Sequence, residues 1–159
     1  MIYLVRHAHA GRKETWAAPD ALRPLSEPGR HEAAGLVATL SDLPVTRILS
    51  SPTTRCLQTV EPLARQRRLP IEVDDRLGVE AEPARALKLI DDRAIATAVL
   101  CSHGELIGRV MEQLVADGLR PAAPLRWAKG STWVLDWDGD GALRASYLRP
   151  VRLRPEPVP

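Results

Sequence analysis

Met1-Ile2-Tyr3-Leu4-Val5-Arg6-His7-Ala8-His9 opens the chain, and its reading decides the fold. Ile2 to Val5 form a short apolar, partly β-branched run, the pattern of a buried strand. The carboxyl end of that strand delivers Arg6 and His7 beyond the sheet edge, which is where open α/β sheets bind ligands. A guanidinium beside an imidazole at such an edge points to an anion site with a candidate nucleophile in it.

Two more strand ends carry the same chemistry. Thr46 to Ser50 reads as a strand that stops at Ser51-Pro52. The helix after it, from about Thr53 to Arg67, has Arg55 in its first turn and a kink expected at Pro62. Ala96 to Cys101 reads as a buried strand leading into Ser102-His103-Gly104 and a helix from Glu105 to about Ala116. Ser26 is a candidate N-cap for a helix reaching about Leu43, where Pro44 stops it. Ile71-Glu72-Val73 makes a third strand, and Pro83 to Asp92 a further helix. Strands alternating with helices predict an α/β three-layer sandwich, a mostly parallel central sheet with helices on both faces. Ser131 to Trp137 and Ala142 to Leu148 flank Asp138-Gly139-Asp140-Gly141, a hairpin signal that places an antiparallel pair at the C-terminal edge. Residues 1–149 then form one domain, and the proline-rich tail at 150–159 is peripheral.

Bulk properties narrow the field. A chain of 159 residues is long enough for a substantial core. A net charge of +2 is too small to argue for nucleic acid or a membrane surface as a bulk partner. Cys56 and Cys101 lack metal-site or disulfide-framework spacing and sit in apolar segments, so a reducing compartment is expected. The first strand begins at Met1 and no apolar run approaches membrane-spanning length, which predicts a cytoplasmic protein without a leader.

In a parallel sheet the three strand ends face one edge, so Arg6, His7, Arg55 and His103 converge. Arginine offers a planar fork of donors that matches phosphate oxygens and stays charged. The helix N-termini after Pro52 and His103 add backbone N–H donors, with Gly104 as a substrate-binding position beside His103. A neutral imidazole attacks phosphorus while the cations hold the equatorial oxygens. That combination is suited to a phosphoryl group.

With these residues the chain resembles the histidine phosphatase superfamily, the phosphoglycerate-mutase-like enzymes. The matching stretches are Leu4-Val5-Arg6-His7-Ala8, Ser50 to Thr59 and Cys101-Ser102-His103-Gly104. The resemblance implies that His7 becomes phosphorylated and that Arg6, Arg55 and His103 hold the phosphoryl oxygens, with no cofactor. It also implies an acid for the leaving group after the third strand, with Glu80 favoured and Glu82 as its alternative. Ala8 stands where the family often has glycine. The chain is too short for the insertions that cover the pocket in larger mutases, so an open site is expected. Size and motifs are most similar to small bacterial phosphohistidine phosphatases. Leu4 to Gly11 and Lys129-Gly130-Ser131-Thr132-Trp133 are also similar to phosphatase domains that follow a Nudix domain in some actinobacterial proteins, and no Nudix domain is expected within these 159 residues.

Several residues have blander readings. His7 and His9 could share a metal, but two arginines would repel a cation and no carboxylate or cysteine completes the set, so no metal is expected. His9 is then a rim residue contacting substrate, and His31 is solvated. Ser102 is a support residue, since neighbours on an extended strand point apart. Trp127, Trp133 and Trp137 belong to the core or the sheet face, and Lys129, near the expected rim, is solvated by default. The expected protein is a metal-independent phosphatase with a phosphohistidine intermediate, acting on phosphohistidine protein. The competing readings are a phosphatase of nucleotides or other small phosphate esters, and a non-catalytic phosphate- or phosphoprotein-binding module.

Overall fold

A computed structural model describes residues 1–155 and 157. Its centre is a six-stranded sheet of β1 (Ile2–Arg6), β2 (Arg47–Ser50), β3 (Ile71–Val73), β4 (Ala98–Ser102), β5 (Thr132–Trp137) and β6 (Leu143–Leu148), in the order β3-β2-β4-β1-β5-β6. The first four strands run parallel, and β5 and β6 complete one edge antiparallel. Four helices connect them: α1 (Glu27–Thr39), α2 (Thr54–Arg67), α3 (Pro83–Asp91) and α4 (Gly104–Ala116).

The period-2 alternation of the strands sorts the two faces. Tyr3, Val5, Ile48, Val99 and Cys101 pack with Leu36, Leu40, Val60 and Leu63 of α1 and α2. Ile2, Leu4, Leu49, Ala98 and Leu100 pack on the other side with Leu89, Ile90, Leu106, Ile107, Val110 and Met111 of α3 and α4. Because both faces are covered, the parallel strands read as continuous apolar runs rather than alternating ones. The three-layer arrangement matches the expected one, hairpin included. Among the described residues no helix is long and apolar enough to cross a membrane.

Local chemistry explains where the elements begin and end. Ser26 caps α1 by accepting from the Gly29 N–H at 3.2 Å. The helix stops at Thr39, short of the expected Leu43; residues 40–43 close as turns, and Pro44 disfavours helical backbone at Leu43. Strand β4 starts at Ala98 instead of Ala96 because Thr97 has φ +60, a left-handed conformation that cannot extend a ladder. Helix α2 runs on through Pro62.

The start of the tail docks on α1. The Leu153 N–H donates to the His31 carbonyl at 2.9 Å, and Arg152 grips Glu32 at 2.9 and 3.1 Å. Gly35 makes this approach possible, because a Cβ there would sit 1.7 Å from the Val151 carbonyl oxygen. Gly35→Ala is therefore expected to lower unfolding stability by about 1–3 kcal/mol, the usual cost of forced overpacking, and to speed proteolysis at residues 150–155. Unchanged melting and unchanged cleavage would contradict this packing.

Candidate active site

Parallel pairing sets the site. Arg6 lies opposite Ser102, and Ser50 opposite Cys101, so the segments after β1, β2 and β4 emerge at one edge. Arg6, His7, Arg55 and His103 meet there. His7 is 6 % exposed, Arg55 3 % and His103 1 %, while Arg6 is half-buried.

The backbone around His7 is tied down on every side. Its N–H donates to the Ser102 carbonyl at 2.9 Å, the next N–H, of Ala8, to Thr59 Oγ1 at 2.9 Å, and the N–H of His9 to Glu32 Oε2 at 2.8 Å. The Gly130 N–H is shared between the Arg6 and His7 carbonyls at 3.2 Å each. Gly130 has φ +74, so its turn suits glycine.

The His7 ring has a determined tautomer. Nδ1 lies 2.8 Å from the Ala8 carbonyl oxygen, which only accepts, so Nδ1 carries the proton and Nε2 keeps a free lone pair. Burial pushes the His7 pKa down to about 3, and His103, Arg55 and Arg6 push the same way against the Ala8 hydrogen bond. His7 is thus neutral at neutral pH. Its ring centroid is 5.3 Å from that of His103, in an edge-to-face arrangement. His103 Nε2 is 2.8 Å from Ser51 Oγ and 3.6 Å from Cys56 Sγ.

Both arginines are half satisfied. Arg6 Nη1 donates to the Trp127 carbonyl at 2.7 Å, and its guanidinium lies over Gly104, where a Cβ would come 2.8 Å from Cζ. Arg55 donates to the Asp20 carbonyl at 2.8 Å and to Asp20 Oδ2 at 3.1 Å. The Nε of each is buried without a hydrogen-bond partner among the described residues. A buried donor left unmade costs on the order of 1–3 kcal/mol, and the oxygens of a bound anion would satisfy both. The N-cap side chains of α2 and α4, Thr53 and His103, accept nothing from their first turns. Those N–H groups add positive potential at the same edge. A shallow cavity of about 280 Å³ opens beside Arg6, bounded by Gly104, Gly108 and Trp127. A larger groove of about 630 Å³, between α1, α2 and residues 153–155, contains none of the four residues.

The other residues singled out in the sequence are placed differently. Glu80 is exposed in the turn before α3 and makes no hydrogen bond among the described residues; Glu82 is the exposed N-cap residue of α3. The carboxylate whose field reaches Arg6 is instead Glu105, in the first turn of α4. The His9 ring meets Ser26 Oγ at 2.6 Å, which holds it against the start of α1. Ser102 is buried and donates to the Leu77 carbonyl at 2.8 Å, a supporting contact. Trp133 is core, whereas Trp137 is exposed. Asp20, Glu32 and Thr59 were not identified as site residues. Asp20 lies in a segment read as loop, and Glu32 is one charged residue among several on a surface-like helix; neither has a signal of its own. Thr59 lay inside the motif around Arg55.

The profile of the histidine phosphatase superfamily (branch 1) matches residues 2–78. Over 155 residues the chain is 31% identical to the 8-oxo-(d)GTP phosphatase of Mycolicibacterium smegmatis, covering 94% of this chain and 48% of the relative. The chain thus spans about half the length of that curated relative. The structure of SixA from Agrobacterium tumefaciens is 28% identical with a TM-score of 0.73, covering 94% of this chain and 97% of that one. The protein histidine phosphatase SixA complexed with tungstate shares the fold at 23% identity and a TM-score of 0.70, covering 95% and 96%.

The neutral state of His7 is directly observable. Imidazole nitrogen NMR is expected to show the Nδ1–H tautomer unchanged between about pH 5 and 8, where an ordinary histidine titrates. The unfolded chain then binds a proton that folded His7 refuses. This contribution to stability is complete above the unfolded pKa near 6.5 and is lost as pH falls toward about 3. His7→Asn should flatten that acid limb. Titration of His7 near 6.5 would contradict the burial and tautomer described.

Proposed function

From the match of residues 2–78 to the histidine phosphatase superfamily, we propose that the chain is a phosphatase of that family and that it works without a metal, through a phosphohistidine formed on His7. The observation that carries this reading is the hydrogen bond from His7 Nδ1 to the Ala8 carbonyl, which leaves Nε2 unprotonated among fixed cations.

In the proposed cycle the Nε2 lone pair forms a bond to phosphorus as the bond from phosphorus to the leaving atom breaks. The breaking pair stays on the leaving atom, which takes up a proton. Arg6 and Arg55 hold the equatorial oxygens through the donors they leave unpaired, and they carry their charge before, during and after transfer. His103, set by Ser51, contributes its ring to the same pocket. A water oxygen then attacks phosphorus, loses a proton, and returns the pair to Nε2. His9 and the Gly104 N–H are assigned to the rim on the substrate side.

For the leaving group, a phosphohistidine side chain is the first reading. Its imidazole departs with less help from an acid than an alkoxide needs, and Glu80 stands exposed in its turn. A nucleotide or other small ester is the second reading, supported by the likeness to the 8-oxo-(d)GTP phosphatase. The two free, buried cysteines favour a reducing, cytoplasmic setting.

Phosphate release from phosphohistidine peptide, nucleotides and an aryl phosphate, measured with chelator present, tests this directly. His7→Asn should lower turnover at least about a thousandfold, as loss of a covalent nucleophile does, while vanadate binding changes by only a modest factor. Activity abolished by chelator would contradict the metal-free mechanism. Loss of all anion binding in His7→Asn would mean that His7 holds the pocket together and does not react.

A further inference from the structure

Glu32 is a buried carboxylate that the cycle above does not use. It lies on α1, is 3 % exposed and engages both of its oxygens. Oε2 accepts the His9 N–H at 2.8 Å, and Oε1 accepts from Nε and Nη2 of Arg152 at 3.1 and 2.9 Å. The Arg152 side chain is 64 % exposed, and among the described residues it is the one cation within ion-pair distance of Glu32. Left with the His9 N–H alone, Glu32 would be a buried charge without a counter-ion.

The tail is fastened so as to bring Arg152 there. The Leu153 N–H donates to the His31 carbonyl, and the Val151 carbonyl occupies the notch at Gly35. Gly130, in the strap that bonds the Arg6 and His7 carbonyls, packs against the same group. A Cβ on Gly130 would come 3.1 Å from Glu32 Cβ and 3.4 Å from Pro150 Cβ. Tail, α1 and strap thus meet at one carboxylate.

The His9 N–H that Glu32 holds belongs to the same planar peptide as the Ala8 carbonyl, and the two point in opposite directions. That carbonyl is the acceptor for the His7 Nδ1 proton at 2.8 Å. Fixing one end of the peptide therefore fixes the other. A peptide whose N–H is donated to a carboxylate is also polarised into a stronger acceptor at its carbonyl. The forked donation from Arg152 to Oε1 keeps the carboxylate from turning away.

We propose that Glu32 and Arg152 are positioning residues for the nucleophile: acting through the Ala8–His9 peptide, they aim the His7 ring and hold its Nδ1 proton. The tail around Arg152 is then a working part of the site. The proposal rests on the reading of His7 as nucleophile and goes beyond it by naming what orients the ring. As Nε2 bonds to phosphorus, electron density leaves the ring, and a carbonyl polarised by Glu32 compensates at Nδ1–H.

The test assays the full chain on an aryl phosphate with chelator present, alongside amide hydrogen exchange. Arg152→Ala should lower kcat at least about tenfold, within what a small misplacement of a reacting group costs. The inhibition constant of inorganic phosphate, set by Arg6 and Arg55, should stay nearly unchanged. Exchange of the His9 amide should quicken, while that of Ala8, held by Thr59, and those of β4 should not. Arg152→Lys keeps the charge without the fork and should recover part of kcat. Arg154→Ala, an equal loss of charge on the same exposed tail, should leave kcat unchanged. In a Glu32→Gln background Arg152→Ala should have no further effect, because it acts only through Glu32. Wild-type kcat in Arg152→Ala would overturn the proposal, as would a full further loss in the Glu32→Gln background. Exchange that quickens equally at Ala8, His9 and β4 would overturn it too, by making the tail a general stabiliser. If the wild type turns over no aryl phosphate, nucleotide or phosphohistidine peptide, the nucleophile reading fails, and the positioning role with it.

Discussion

Three consecutive backbone N–H groups, those of His7, Ala8 and His9, are held by three different elements: β4 through Ser102, α2 through Thr59 and α1 through Glu32. The site's geometry depends on this fastening. A loop leaving a strand is ordinarily mobile, and a nucleophile on it would sample many positions. Here the sheet supplies one restraint and the helices packed on one face supply two. The strap at Gly130 closes the other side by bonding the Arg6 and His7 carbonyls. The His7 ring is then oriented by the carbonyl of the residue that follows it. Fold and chemistry meet at this point, since moving any of the three elements moves the imidazole.

The electrostatics follow from the same restraint. Burial keeps His7 neutral, and the surrounding cations add to that effect. In the proposed cycle, charge for anion binding comes from arginines that never lose it, and nucleophilicity from a ring that does not gain it. Two half-satisfied guanidinium groups cost stability in the folded chain. Their placement over Gly104 and against Asp20 shows how the fold carries that cost: small backbone on one side and a carboxylate on the other. Such local disagreement between stability and site chemistry is what a functional pocket leads one to expect.

Much of the fold was legible in the sequence because the signals were periodic or chemically specific. The apolar strand runs reflect burial on both faces, Ser26 acts as an N-cap, and Asp138 to Gly141 forms the hairpin turn. Arg6, His7, Arg55 and His103 could be brought together on paper because parallel strands end at one edge. Element ends were less legible: the left-handed Thr97 and the turns after Thr39 depend on φ values that no pattern announces. The contacts that hold the site were legible least. Glu32 meets Arg152 120 residues away, and Asp20 meets Arg55 across 35, so both depend on tertiary placement and not on local sequence. Glu80 illustrates the converse, since a carboxylate in the right stretch of sequence stands exposed in a turn.

The account stands or falls on Nε2 of His7. Rapid acid-free quenching of the wild-type enzyme during turnover, followed by peptide mapping and phosphorus–nitrogen NMR, reads where the phosphoryl group rests. The account predicts an alkali-stable, acid-labile phosphoryl group on His7 attached at Nε2. Phosphate found on Nδ1 or on another residue, or turnover that forms no phosphoenzyme, would contradict it.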